Sequence, residues 1–476
     1  MKRAGAGFGV LLAMLLSASL AASPAGLSSL VERLDHPLWT ARRDAAQAIA
    51  AIGPAASAAI SALTKSLDDA DVQVRRAAVE ALADVGAGSE AAVPGLVHAL
   101  NDQDWVVRRK AALSFESMPA STAVADIRKL LSSESTDVRT SAALALSGLA
   151  PHSLNALPEL TDALGADNWQ LRAAAAHALG ALGSDASDAL PALAVALRDR
   201  DWGVAEQVVE ALSRIGEPAL PVLIEALDDP ALAVRWGAAR ALGRIGVDAT
   251  VAVPALAGVL DDAALQARWA AAKSLWAMGP AAVEAVPKLV DALTDPDWVV
   301  RWSAARALGA IAAEAHIDAT VAALAEALQD RDSRVCEAAA FALESIGARA
   351  SAALPALSRA ATGDYDEDAE AVFCQVIDVG PVAEELLMAS GWTVRWAAVR
   401  ALGVVGKGKQ TTLPPLTEAM RDEQWQVRGI AVLAVGEFGE LANPLALAAV
   451  NAALQDDHEA VRDAAAVAIA NVSADL

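Results

Sequence analysis

The feature that most constrains this chain is a period. An arginine at the same place in a repeating pattern, usually after valine or another small apolar residue, recurs at Arg42, Arg75, Arg108, Arg139, Arg172, Arg235, Arg268, Arg301, Arg395, Arg428 and Arg462. Most steps are 33 residues, and three further copies keep the frame without the arginine, at Ala205, Cys336 and about Ala369. A proline repeats with it at Pro94, Pro158, Pro191, Pro221, Pro254, Pro287, Pro355 and Pro414. A unit this short cannot bury a core alone and must stack on its neighbours. The chain of 476 residues therefore reads as one array of about fourteen units over residues 23–476, although length alone suggests several globular domains.

The unit is clearest from Ala282 to Gly309. Val286, Leu289, Val290 and Leu293 recur at helical spacing, which predicts a helix A from Val283 to Leu293. Pro287 falls in its first turns, where a missing N–H costs least. Asp295-Pro296-Asp297 ends that helix, and Asp297 is the expected N-cap of a helix B beginning at Trp298. Val300, Ala304, Leu308 and Ile311 form the expected buried stripe of helix B. Glycine follows many B helices, as in Leu242-Gly243-Arg244-Ile245-Gly246, where it suits a left-handed C-cap. Composition agrees: 55% of residues are apolar but only 4% aromatic, so the bulk is Ala, Leu and Val. Those residues suit thin, closely packed helices, and strand formers are scarce.

Helix-A proline, turn aspartate and the Val-Arg pair, as in Pro94, Asp104, Val107 and Arg108, resemble the HEAT-repeat family, in particular the short HEAT-like repeats also found in phycobilin lyases. The resemblance covers essentially the whole chain after residue 22. It implies an all-α, right-handed α-solenoid of ARM/HEAT type, with B helices lining the concave side. It also implies that turn aspartates and B-helix arginines form a structural ladder between units, with Arg75, Arg108, Arg172, Arg235, Arg268 and Arg301 as members. It says little about activity, because a fold hosts many functions.

Residues 1–22 stand outside the period. Lys2 and Arg3 precede an apolar run from Phe8 to Leu20, with small residues at Ser19, Ala21 and Ala22. That order predicts a signal peptide and export to a periplasmic or extracellular location. No later run is long enough and uninterrupted enough to predict a membrane span. The net charge is −23, and loss of Lys2 and Arg3 makes it two charges more negative. An acidic body disfavours nucleic acid and anionic lipid. Cys336 and Cys374 fall on adjacent units but out of register, so two free thiols are expected in place of a disulfide.

Between Thr362 and Ser390 the pattern breaks into an acidic stretch holding the only tyrosine, and a local irregularity is expected over residues 362–391. Asp364, Asp366 and Asp368 alternate there, but the glycine and final glutamate of a calcium loop are out of place. Gly403 to Lys409 copies most of a phosphate-binding loop, yet Gln410 replaces the required Ser or Thr and a helix precedes it. The six His residues lack metal-ligand spacing. Only His458-Glu459 pairs the two residue types that HEAT-like di-iron hydroxylases use repeatedly. No catalytic constellation, metal or cofactor is therefore assigned.

Tryptophan is the informative excess, with twelve in the chain. Trp39, Trp105, Trp169, Trp202, Trp298, Trp392 and Trp425 stand three positions before the register residue, at the A–B turn. They either shield the start of the next helix or form an aromatic edge. A second set follows the register arginine, with a basic residue four positions on: Trp236 and Arg240, Trp269 and Lys273, Trp302 and Arg306, Trp396 and Arg400. Such pairs share a helix face and can stack as cation on indole. Facing away from the Val300–Leu308 stripe, they suit a partner-binding row in the concavity, because Trp and Arg dominate interface hot spots. Plain packing between helices is the other reading. The expected function is an exported, non-enzymatic scaffold for a protein or peptide. The alternatives are an enzyme or accessory lyase of the HEAT-like class, and a carbohydrate-binding solenoid using the turn tryptophans.

Overall fold

The computed structural model describes residues 24–118, 123–312, 314–363, 391–438 and 444–474. The signal-peptide region, Cys374, the Asp364–Asp368 motif and the unit placed about Ala369 lie outside them. The chain divides into two compact units, Met1–Val222 and Leu223–Leu476. Each is built the same way, as antiparallel helix pairs, with no strand among the described residues.

In the first unit the B helices are Trp39–Ile52, Val72–Val85, Trp105–Ser114, Thr136–Gly148, Trp169–Ala181 and Trp202–Ile215. In the second they are Leu232–Ile245, Leu265–Met278, Trp298–Ile311, Ser333–Ile346, Gly391–Val405, Trp425–Gly436 and Glu459–Ala474. Within each unit every B helix packs on the next, and shorter A helices such as Leu190–Ala196 and Val286–Ala292 cover one side. Thirteen B helices are thus present among the described residues. Gly391–Val405 packs directly on Ser333–Ile346, so these two are consecutive in the stack.

The local chemistry explains this geometry. Pro287 sits in the first turn of Val286–Ala292, and the preceding Gly279–Ala285 is a 3-10 turn where a longer α-helix was expected. An α-helix continuing upstream would drive the Pro287 ring into the Val283 carbonyl. Leu289 is fully buried, as are Val300, Ala304 and Leu308 or nearly so. Asp104 caps its helix by accepting from the Val106 and Val107 N–H groups at 3.1 and 3.2 Å. Asp297 has the same extended backbone but no capping bond, and its carboxylate accepts from Arg268 Nη2 at 2.7 Å.

Two kinds of glycine do two different jobs. Gly246 adopts φ 73° and its N–H closes the helix onto the Leu242 carbonyl, a backbone state that disfavours other residues. Gly309, inside a helix, lets the neighbouring B helix approach so closely that a Cβ would lie 2.6 Å from the Ala342 Cα.

Two stretches, Trp39–Ser66 and Leu232–Val259, are long and apolar enough to cross a membrane. Each is a B helix followed by an A helix, turned at Gly53 (φ 67°) or Gly246 (φ 73°). Their apolar faces serve the stack, where Ile49, Leu63, Leu242 and Leu256 are fully buried.

Candidate functional site

The ladder residues build a repeated polar spine. Arg172 gives Nε and Nη2 to the carboxylate of Asp199 in the next repeat, at 2.5 and 2.9 Å, and Nη1 to the Ala166 and Asp167 carbonyls of its own loop. Arg75 pairs likewise with Asp102, Arg235 with Asp262, Arg268 with Asp295 and Arg301 with Asp330. Each acceptor also shapes its own turn: Asp199 accepts the Asp201 N–H at 2.8 Å and Asp330 the Asp332 N–H at 2.9 Å. One carboxylate therefore ties a turn and receives the neighbouring repeat. Hydrogen bonds from arginine hold Asp69, Asp199, Asp262 and Asp456 below the usual carboxylate range, against an opposing effect of burial.

Departures from the ladder follow the sequence. Ser133 stands in the turn position that aspartate occupies elsewhere, and Arg108 reaches Asp137 instead, at 2.6 Å. Ala166 fills the same position one repeat later, and Arg139 turns to Thr136 Oγ1 at 2.9 Å. Cys336 replaces the arginine outright. Its Sγ donates to the Asp330 carbonyl at 3.2 Å, the carbonyl that a ladder Nη1 takes in other repeats. Burial pushes this free thiol up to about 12, which leaves it a poor nucleophile.

All four tryptophan–basic pairs are in the second unit. Arg240 lies over Trp236 at 4.5 Å, Lys273 over Trp269 at 5.2 Å, Arg306 over Trp302 at 5.8 Å and Arg400 over Trp396 at 5.4 Å. Trp236 and Trp396 are half-buried, while the other two indoles, Trp269 and Trp302, are closed over, each only 5% exposed. They fill space between consecutive B helices, and Trp302 meets Trp276 edge-on at 5.7 Å.

The open surface is formed by neighbours that sequence reasoning missed, Trp276 and Phe341. Arg306 sits nearer Trp276 (4.8 Å) than its own-helix Trp302, and also 6.0 Å from Phe341. Arg400 lies 5.7 Å from the other side of Phe341 and donates Nε to Glu344 at 2.9 Å. These side chains line a cleft of about 370 Å³, with Gly309, Ala310 and Ala342 among its lining and Ser345 and Val404 beside it. The register contains a signal for it. Five positions after the register residue the repeats read Lys273, Arg306, Phe341 and Arg400; eight after, they read Trp276, Gly309, Glu344 and Gly403. Large side chains alternate with glycine along the stack, so Trp276 and Glu344 stand up around the low Gly309.

The turn tryptophans are distinct from these pairs and occur in both units. Trp39, Trp105, Trp169, Trp202 and Trp425 are 37–60% exposed. Others are covered by the following repeat: Arg334 lies 3.4 Å above the Trp298 ring, and even Trp425 stacks on His458 at 3.9 Å. Some turn indoles are thus exposed and others lie against the following repeat. Elsewhere, the phosphate-loop look-alike is the end of helix Gly391–Val405 and its turn, with Gly408 at φ 79° and Lys407 paired to Glu437. No group of three His, Cys, Asp or Glu able to hold a metal occurs among the described residues.

Stacked helix pairs, an inter-repeat Arg–Asp spine and glycine-mediated contact between B helices define an α-solenoid. The pattern of the family described as HEAT repeats matches at 27–116, 93–179, 124–199, 157–231, 190–276, 253–319, 286–377 and 381–470, and the chain belongs to that family. No curated protein matches it by sequence. Among solved structures, a chain of the Kap95:Nup1 complex has TM-score 0.60 at 16% identity, covering 96% of this chain and 68% of that one. A structure of Kap95p with RanGDP gives 0.54 at 14% identity, covering 95% and 79%, and importin beta gives 0.54 at 14%, covering 93% and 71%. At these identities the likeness is one of fold.

Proposed function

We propose that this chain is an exported HEAT-repeat scaffold that holds a protein or peptide partner along the concave side of its B helices, and that it is not an enzyme. The observation that carries the reading is the Trp/basic row ending in an open cleft, with Arg306 and Arg400 stacked on aromatic rings. Cations preorganised on rings, beside apolar side chains, are the composition of interface hot spots. The Kap95 structures, each a complex with another protein, support a protein-binding role for this fold. Export rests on the N-terminal Lys2–Ala22 pattern.

Because Trp269 and Trp302 are buried, replacing them would damage packing. The sharper test replaces Arg306 and Arg400 together by Gln in the full mature chain and compares capture of partners from a cell-envelope extract. Loss of the same captured proteins, with helicity retained, supports the reading; undiminished capture overturns it. Mass spectrometry of exported protein should give an N-terminus just after Ala21 or Ala22, and an intact Met1 there would refute cleavage.

A second reading has one specific observation behind it, the exposure of Trp105, Trp169 and Trp202 at the turns. An oligosaccharide edge predicts saturable quenching of tryptophan fluorescence by soluble glycans, removed by Trp169→Ala with Trp202→Ala.

A further inference from the structure

We propose that Arg139 and the turn Ala166–Asn168 bind a small monovalent carboxylate, which takes the place of the ladder aspartate that this repeat lacks. The next repeat shows what such an aspartate does. Asp199 accepts Nε and Nη2 of Arg172 at 2.5 and 2.9 Å and the turn N–H of Asp201 at 2.8 Å. One repeat earlier, Arg139 and the Asn168 N–H stand in the same register, but Ala166 offers them no carboxylate. Both donors stay open. Arg139 makes one side-chain hydrogen bond, to Thr136 Oγ1 at 2.9 Å, and its Nε is buried without a partner. The Asn168 N–H has no acceptor among the described residues, its own Oδ1 being taken by the Leu171 N–H at 3.0 Å. In every other described turn the side chain at the Ala166 position accepts the N–H two residues on. It is aspartate in most, Ser133 Oγ at 3.2 Å in one and His36 Nδ1 at 3.1 Å in another. A buried donor without a partner is costly, and these two share a single acceptor in the repeats on record.

The turn keeps the shape of its counterparts. Arg172 Nη1 holds the Ala166 and Asp167 carbonyls at 2.8 and 2.9 Å. Asn168 lies at φ −81° and ψ 124°, against −90° and 120° for Asp201. Its N–H therefore points toward the position that the carboxylate occupies in the other repeats. Aspartate differs from alanine by a carbon and two oxygens, and those atoms make formate. Ala166 is half-buried, so a substituent on a larger acid can extend into solvent. In the complex Arg139, on Thr136–Gly148, turns its Nε edge to the ion as Arg172 does to Asp199. A guanidinium binds a carboxylate at two points in a plane, and the N-terminus of Trp169–Ala181 favours negative charge. The acidic side chains nearby in sequence, Asp137 and Asp167, are exposed, and Asp137 is held by Arg108 at 2.6 Å. The junction at Ser133 differs, because its turn bond is kept and Arg108 has found that other carboxylate. A bound acid joins Thr136–Gly148 to Trp169–Ala181 as the spine joins other repeats, so its concentration sets how tightly this joint is held.

The test uses the full chain and formate as the probe, exchanged for chloride at constant ionic strength. An ion of so few atoms reaches at best a dissociation constant on the order of 1 mM, so the titration extends to about 100 mM. The formate proton resonance should broaden saturably on adding protein, and the melting temperature should rise with occupancy. Hydrogen exchange should slow in Thr136–Gly148 and Trp169–Ala181. Ala166→Asp supplies the carboxylate covalently, so it should melt higher without formate and lose the saturable broadening. Arg139→Gln should weaken formate binding by at least roughly tenfold, the effect of a charge-assisted hydrogen bond, while Arg43→Gln leaves it unchanged. Circular dichroism confirms that each variant is folded. Broadening that survives Ala166→Asp or Arg139→Gln, or that is absent from the unaltered chain, overturns the proposal. So does a melting temperature unmoved by exchanging chloride for formate. Partner capture by the B helices is a separate measurement, and the scaffold reading stands or falls on it alone.

Discussion

At the residue scale, the ladder arginines join two roles in one side chain: each ties its own loop through backbone carbonyls and the next repeat through a carboxylate. Arg301 and Asp330 are almost wholly enclosed, at 5% and 10% side-chain exposure. Removing the cation leaves the Asp330 carboxylate with the Asp332 N–H alone and the Asp295 carbonyl without its arginine donor, while the Pro296 carbonyl keeps Arg331. Arg301→Ala should therefore destabilise the protein by about 2–4 kcal/mol. The exposed Arg43–Asp44 pair should contribute under about 1 kcal/mol, so Arg43→Ala should barely move the melting curve. Urea denaturation of the two variants checks the contrast. The same spine sets an acid limit. Asp69, Asp199, Asp262 and Asp456 titrate lower when folded than when unfolded. Their stabilisation is complete above the unfolded value of about 4 and is lost as pH falls through the lower folded values. Melting temperature at constant ionic strength should be level from pH 7 to 5 and drop below about pH 4; a flat profile down to pH 3 would contradict this.

At the element scale, the B helices approach one another through small residues, and the interior of the helix is where glycine matters most. At Gly309 a methyl group would meet the Ala342 backbone, which cannot move aside as a flexible side chain could. Gly309→Ala should cost about 1–3 kcal/mol from overpacking, outweighing the gain of up to about 1 kcal/mol in helix propensity. It should also lower the neighbouring cleft's affinity for any ligand. Thermal melts and anisotropy titrations measure the two effects; a more stable variant would show that this close contact is not a constraint. Much of this scale was legible beforehand. Trp298 does begin its B helix, and Val300, Ala304 and Leu308 are buried. What differed was set by chain geometry that periodicity does not encode. The Pro287 ring shortens helix A, and Asp297 joins the preceding repeat through Arg268 without capping its helix.

At the scale of the whole molecule, the repeats within each unit are held by their neighbours in the stack, with no long-range strand pairing among the described residues. Stability in such arrays is close to a sum of local terms. Arg172→Ala should therefore reduce hydrogen-exchange protection in Trp169–Ala181 and Trp202–Ile215 and leave protection around Trp302 unchanged. A uniform loss along the chain, measured by mass spectrometry, would instead mean that the repeats unfold as one. The consecutive packing of Ser333–Ile346 on Gly391–Val405 belongs to this scale too, since the interval between their register positions runs from Cys336 to Arg395. Counting arginine spacings places a further unit about Ala369, which lies outside the described residues.

By itself the sequence determined that this protein is an array of helix pairs. Apolar spacing, proline, turn aspartate and glycine recur in one frame, and each acts through neighbours a few residues away or one repeat along. It also marked out the four cations of the Trp/basic row. Only the tertiary structure decided which aromatic rings close over and which stay open. Trp302 belongs to the same motif as Trp236 and Trp396, but it is buried where Trp276 of the adjoining helix meets it edge-on. The cleft lies between repeats, where side-chain size at three consecutive register positions sets its depth, and no single repeat contains it.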